Sequence, residues 1–309
     1  MGLRRALHWL WQSADHYLPC CWSPFELLNY FGVIYTFLVV VALLTINAYL
    51  TCPLVYGPQA CELPIAFGYL ICLQIVVNFV CFQACARRNK LSSLIPGQLR
   101  ADETTQEHTR FCFPCNEAVP RKSHHCSLCK YCVLKKDHHC FMTGGCVGFG
   151  NQRFFIVFLF WTTVGAFYGT LYCFRYLDKF FKPFWPFGWV DYIGPIAMKK
   201  WLLWQHCSLF DLGLCIIFSV GFASTIAAGG FFVSQIYFIL KGMTMYEYMK
   251  HRRGSPVPRL EWKSGINDRL HAVFGNYYLL NFVVPLFWIQ NKLDPAFRRI
   301  LHECYLKEL

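Results

Sequence analysis

The sequence predicts an α-helical integral membrane protein with four transmembrane helices and a cytosolic, cysteine-rich domain between helices two and three. Three observations predict it. Of 309 residues, 56% are hydrophobic and 15% charged, too apolar a balance for an ordinary soluble domain. Four stretches, residues 31–51, 63–86, 154–174 and 212–240, contain no Asp, Glu, Lys or Arg; each reaches the roughly 20 residues that a bilayer core requires. Between the second and third, residues 112–146 hold seven cysteines and four histidines. Buried core helices of a large soluble protein are the competing reading, and runs of this length disfavour it.

Taken in order, residues 1–30 form an N-terminal segment with Arg4 and Arg5. The first span, 31–51, has no small-residue cleavage pattern before polar sequence and is expected to be retained. The start MGLRRA lacks the Ser or Thr of a myristoylation signal. Cys20 and Cys21, next to this span, are either S-acylation sites or plain interfacial residues. The loop 52–62 has no Lys or Arg, whereas 87–153 is rich in both, so the bias of positive charge places 87–153, and with it both termini, in the cytosol. Cys52 and Cys61 in that loop are a candidate disulfide pair that the sequence alone does not establish. The polar run 100–108 reads as a loop.

Beyond the third span, 175–211 is expected to be a lumenal loop whose Trp, Phe and Pro suggest interfacial anchoring more than a folded unit, although Lys199 and Lys200 run against the charge rule. After the fourth span, Lys241, Lys250, Arg252 and Arg253 put the tail 241–309 on the cytosolic side. Residues 276–289 are apolar but short and interrupted by Pro285, which favours a segment lying on the surface or packed against the bundle over a fifth span. Cys72, Cys81, Cys173 and Cys215, alone within spans, read as small packing residues. The net charge of +12 predicts attraction to anionic membrane lipid and polyanionic ligands; with four spans present, the membrane rather than nucleic acid explains it.

The reducing cytosol turns a dense cysteine cluster toward metal binding or catalysis and away from disulfides. Cys112-x-x-Cys115, Cys126-x-x-Cys129 and Cys129-x-x-Cys132 have the spacing by which two sulfurs reach one ion from a turn. Two tetrahedral zinc ions need eight ligands, which six cysteines and two of His124, His125, His138 and His139 supply. One cysteine and two histidines are left over. Cys140 belongs to no pair and follows Asp137-His138-His139 directly, the pattern expected of a thiol nucleophile with a base and an orienting carboxylate. Local sequence does not decide which of His138 and His139 binds metal. An irregular finger in which Cys140 is also a ligand is the alternative.

The stretch from Cys112 to Asn151, through CFPCNEAVPRKSHHCSLCKYCVLKKDHHC and CVGFGN, together with two spans on either side, resembles the DHHC family of zinc-dependent protein S-acyltransferases. The resemblance implies one structural zinc on Cys112, Cys115, His125 and Cys132 and another on Cys126, Cys129, His139 and Cys146. It implies Cys140 as nucleophile, His138 as base and Asp137 as orienter, with fatty acyl-CoA as co-substrate and cysteines of membrane-associated proteins as acceptors. An acyl cavity is expected among the spans, walled by Phe155, Phe158 and Met142, its length-setting end near Gly165, where the missing side chain implies tolerance of longer chains. Arg121, Lys122, Lys130, Lys135 and Lys136 are available for the CoA phosphates, and none is assigned. The family's usual location implies the ER or Golgi membrane.

Departures mark a divergent branch. Phe141-Met142 stands where the family has Pro-Trp, and Gly144-Gly145 where it has Asn-Asn. Its Thr-Thr-x-Glu reads Thr244-Met245-Tyr246-Glu247, and Met245 cannot supply the hydroxyl expected to hold the catalytic acid, so Asp137 must be held differently or less firmly. Asn267 is offset from the Asn expected before Val273-Phe274-Gly275. These changes leave room for a second reading, a membrane scaffold with an intact zinc fold and negligible transfer.

Overall fold

The computed structural model describes residues 24–86, 89, 109–203, 207–254 and 265–286. The N-terminal segment with Cys20 and Cys21, the polar run 100–108 and the tail beyond 286 lie outside the described residues.

Four helices among the described residues are long and apolar enough to cross a membrane: 27–56, 58–86, 152–181 and 209–241. Helix α1 (Pro24–Ile46) continues through a wider turn at Asn47–Thr51 into the short α2 (Cys52–Tyr56). Gly57 then adopts φ +84°, a left-handed conformation that ends the helix at little steric cost. The reversal is stapled by a disulfide between Cys52 and Cys61, and α3 (Glu62–Ala86) returns. Helices α4 (Gln152–Tyr176) and α6 (Leu209–Lys241) form the second antiparallel pair. The core between α3 and α4 consists of Ile71, Ile75, Phe82, Phe154, Phe155 and Phe158, all nearly inaccessible.

Between α3 and α4 the chain makes three separate two-stranded antiparallel hairpins, β1–β2 (Thr109–Cys112, Glu117–Pro120), β3–β4 (Ser123–Cys126, Tyr131–Leu134) and β5–β6 (His138–Cys140, Gly145–Val147). Strands of three or four residues bury too little to stand alone. Metal ligands at their ends and turns supply the missing cohesion.

Among its described residues the connection 175–211 is more folded than the sequence suggested, while Phe184, Trp185, Phe187 and Trp189 stay exposed. A 3-10 turn at Gly188–Tyr192 and helix α5 (Gly194–Leu202) pack on the start of α6 around a core of Leu177, Tyr192, Ala197, Leu212 and Cys215. Buried Asp191 pairs with Lys182 at 2.5 Å and with Lys200. Lys200 therefore stands against the charge rule because a buried carboxylate needs a partner.

After α6, Gly242 ends the helix in the left-handed conformation, and α7 (Met245–Arg252) begins with a capping box between Thr244 and Glu247. Helix α8 (Ile266–Phe274) leads into the short apolar segment, whose described residues 276–286 pack against the bundle. Trp161 donates its indole N–H to the Phe282 carbonyl (2.8 Å) and Gln74 its amide to the Val283 carbonyl (2.7 Å). In an apolar bundle such backbone carbonyls need internal donors, and these two spans provide them.

Candidate functional site

Cys112, Cys115, His125 and Cys132 bring one ligand atom each within 4.8 Å of one another, and Cys126, Cys129, His139 and Cys146 do the same. Both groups interleave along the chain: each takes ligands from two hairpins, so an ion in either binds the hairpins together. Three thiols and one imidazole, with no carboxylate, form a closed donor set that suits zinc as a structural ion. His139 turns Nδ1 toward the sulfurs of Cys126, Cys129 and Cys146, at 3.4 to 3.6 Å. Its other nitrogen, Nε2, donates to Oδ1 of Asn29 on α1 at 2.9 Å. An outer partner of this kind fixes the tautomer and ring orientation of a metal-binding histidine. Asn29→Leu is therefore expected to weaken zinc binding at this site about 10- to 100-fold, measured as zinc released during chelator titration. Unchanged retention would show that the contact does not orient the ring.

Strand β5 resolves the choice between adjacent histidines. Side chains alternate along a strand, so His139 faces its cross-strand partner Cys146, also in the metal group. His138 and Cys140 project together from the opposite face. Asp137, at 1% exposure, accepts at Oδ2 from His138 Nδ1 (2.8 Å) and from Gln235 Nε2 (2.7 Å), and at Oδ1 from the Met245 backbone N–H (2.7 Å). The imidazole lies between the rings of Phe155 and Phe231, with centroids at 5.2 and 5.8 Å. Its Nε2 is buried without a hydrogen-bond partner among the described residues.

Burial alone would depress the His138 pKa, but Asp137 and the neighbouring Cys140 outweigh it and raise the value to about 9. Burial likewise opposes the Cys140 thiolate; His138, helped by Thr143, overcomes this and holds the thiol below its ordinary value. The pair therefore favours thiolate beside imidazolium. His124, in contrast, is buried against the Tyr246 ring, with centroids at 4.1 Å. Its desolvation, reinforced by Arg110, Lys250 and Lys136, lowers its pKa to about 3.

The turn after Cys140 is clamped between α1 and α3. Thr36 donates to the Met142 carbonyl (3.4 Å) and Gln83 to the Thr143 carbonyl (2.6 Å). Gly144 has φ +67°, a left-handed conformation that suits Gly or Asn. Gly32 admits the Phe141 backbone, whose carbonyl oxygen would lie 2.3 Å from a Cβ there. Phe141-Met142 and Gly144-Gly145 thus sit in a turn held mainly through its backbone, which tolerates their identities.

From Cys140 a cavity of about 380 Å³ opens between the helices. Met142, Phe155, Phe158 and Gly165 all line it, and it continues past Gly165 to Asn47 and Tyr172. A Cβ on Gly165 would meet Ile71 Cγ2 at 2.8 Å, so close approach of α3 is a second reason for glycine. Of the basic residues, Lys136 donates to the His125 carbonyl and lies over Tyr246, while Lys135 lies over Phe149.

Sequence reasoning missed Gln235 and Asn29. Each left a faint signal, an amide inside or at the start of an otherwise apolar helix, where polar groups are expensive unless they are used.

Residues 105–252 match the sequence model of the family described as DHHC palmitoyltransferase. The chain is 29% identical over 186 residues to palmitoyltransferase ZDHHC22 of Mus musculus, covering 58% of this chain and 60% of that one. It is 31% identical over 193 residues to probable protein S-acyltransferase 15 of Arabidopsis thaliana, covering 62% and 66%. With putative ZDHHC-type palmitoyltransferase 2 of Dictyostelium discoideum it shares 33% over 196 residues, 61% of this chain and 40% of that one. The chain thus spans about three fifths of the length of the mouse relative. The matched region holds both donor groups and the Asp137–His138–Cys140 arrangement, and over it the chain is similar to the DHHC family.

Proposed function

We propose that the protein is a protein S-acyltransferase that moves a fatty acyl group from acyl-CoA through an S-acyl-Cys140 intermediate to cysteines of membrane-associated proteins. The observation that carries this reading is a buried Asp137–His138 pair beside Cys140 at the mouth of an apolar cavity. Two structural zinc ions would hold the hairpins in place, the donor sets being filled without an open position for chemistry.

In the first step the Cys140 thiolate attacks the thioester carbonyl and the CoA sulfur leaves, taking the proton that the His138 imidazolium carries. In the second, His138 removes the proton of an acceptor thiol, whose sulfur attacks the S-acyl group as Cys140 leaves as thiolate. Asp137 keeps Nδ1 of His138 protonated and Nε2 directed at the reacting sulfurs. The intact arrangement favours this over the scaffold reading.

The cavity would receive the acyl chain. From Phe155 to Tyr172 it follows α4 for about 25 Å at 1.5 Å per residue, the length of an extended chain of about 20 carbons advancing roughly 1.25 Å per bond. Eighteen- and 20-carbon acyl-CoA are expected to label Cys140 about as fast as the 16-carbon one, within roughly threefold. A steep fall beyond 16 carbons in the same assay would refute the match.

The Cys52–Cys61 disulfide lies at the opposite end of α1 from Asn29 and the thiol clusters. A disulfide at one end and reduced thiols at the other support a lumenal 52–62 loop and 175–211 lobe, with residues 1–30, 87–153 and 241–309 cytosolic. The family's usual residence supports a multi-pass protein of the ER or Golgi membrane.

The test is incubation of purified protein with labelled acyl-CoA. Hydroxylamine-sensitive label is expected on wild type and absent from Cys140→Ser. Equal label on the variant would reject the nucleophile, and none on wild type would reject the transfer reading.

A further inference from the structure

Asp137 is a carboxylate without access to water, and such a group persists in one orientation only when its lone pairs are occupied. His138 takes one, on Oδ2, and the Met245 backbone N–H takes one on Oδ1. The third donor comes from a different part of the chain: Gln235, with no exposed surface, donates Nε2 to Oδ2 at 2.7 Å from within α6. A carboxylate only accepts, so the amide must present its NH₂ group. Oε1 then faces the other way, toward Nε2 of Gln152 at 3.4 Å. The long contact to Gln152 contrasts with the short one to Asp137, so Gln235 is more than a link between α4 and α6.

The position at which a threonine hydroxyl is expected is occupied here by Met245, which contributes its main chain alone. We infer that Gln235 is a positioning residue that replaces the missing hydroxyl, its amide holding the Asp137 carboxylate against the His138 imidazole and so aiming Nε2 at Cys140. The inference rests on the transfer reading of the site. It assigns a role to a polar side chain in an apolar helix, where such groups are costly and usually functional.

The test uses the full chain in lipid nanodiscs and the rate of hydroxylamine-sensitive labelling of Cys140 across acyl-CoA concentrations. Gln235→Met keeps length and packing but removes the donor. Its saturating rate should fall about 10- to 100-fold, the loss expected for a hydrogen bond to a charged group. The half-saturating acyl-CoA concentration and the zinc content should stay unchanged. Gln235→Glu, isosteric but carrying a second carboxylate against Asp137, should lose at least as much. In an Asp137→Asn background, Gln235→Met should cost less than about threefold more, because residues acting as a unit are not additive. Equal losses in both backgrounds, which is what general loosening of the bundle produces, would overturn the inference. So would a wild-type rate in Gln235→Met. Absence of label on wild type would instead refute the transfer reading, which keeps the two failures apart.

Discussion

His138→Ala is expected to slow labelling of Cys140 by labelled acyl-CoA about 10²- to 10⁴-fold at neutral pH, the range that a positioned general base contributes. Two losses combine. Cys140 is largely buried, and without the imidazole its thiolate loses the main partner that opposes that burial, leaving Thr143. The departing CoA sulfur also loses its proton donor, since Nε2 is the ring atom left without another partner. The change leaves the metal groups intact, because His139 and not His138 faces Cys126, Cys129 and Cys146. Single-turnover labelling of wild type and variant, with zinc per chain measured alongside, checks it. A rate within threefold of wild type at normal zinc content would remove His138 from the chemistry.

Cys146→Ser should abolish labelling by another route. Cys146 sits across the β5–β6 ladder from His139, and both belong to the second donor group. The hairpin that carries His138 and Cys140 is thus closed by two ligands on its other face. Structural zinc in small domains contributes about 10 to 16 kcal/mol to folding, far more than strands of three residues supply for themselves. With one thiolate gone, the variant is expected to retain one zinc per chain instead of two and to fall below detectable labelling. Metal analysis and the labelling assay read the two effects separately. Two zinc ions with full activity in the variant would show that the ladder stands without its clamp.

Much of this architecture was legible in the residues, and the exceptions share a cause. Spans are set by uncharged length, which composition displays directly; tight spacing marks a metal-binding cluster but not its division, because Cys129-x-x-Cys132 has that spacing and its two sulfurs fall in different groups, as the resemblance implied. The choice between His138 and His139 was not legible, because it depends on which face of β5 meets β6. Gln235 lies 98 positions from Asp137 and Asn29 lies 110 from His139; contacts across such separations arise only when helices assemble. The lobe after α4 was misjudged for a similar reason. Its small core joins Leu177, Tyr192 and Ala197 to Leu212 and Cys215 of α6, with Asp191 paired to Lys182 and Lys200 nearby, while Phe184, Trp185, Phe187 and Trp189 stay exposed.

The alternation along β5 has a consequence for how this stretch can change over time. Adding or deleting one residue at the start of β5, just after Asp137, turns the strand's later side chains to the reverse face. Cys140 would then turn toward the donor group of Cys126, Cys129 and Cys146, and His139 toward the cavity. Residue count within β5 is therefore held as tightly as the identities of His138, His139 and Cys140.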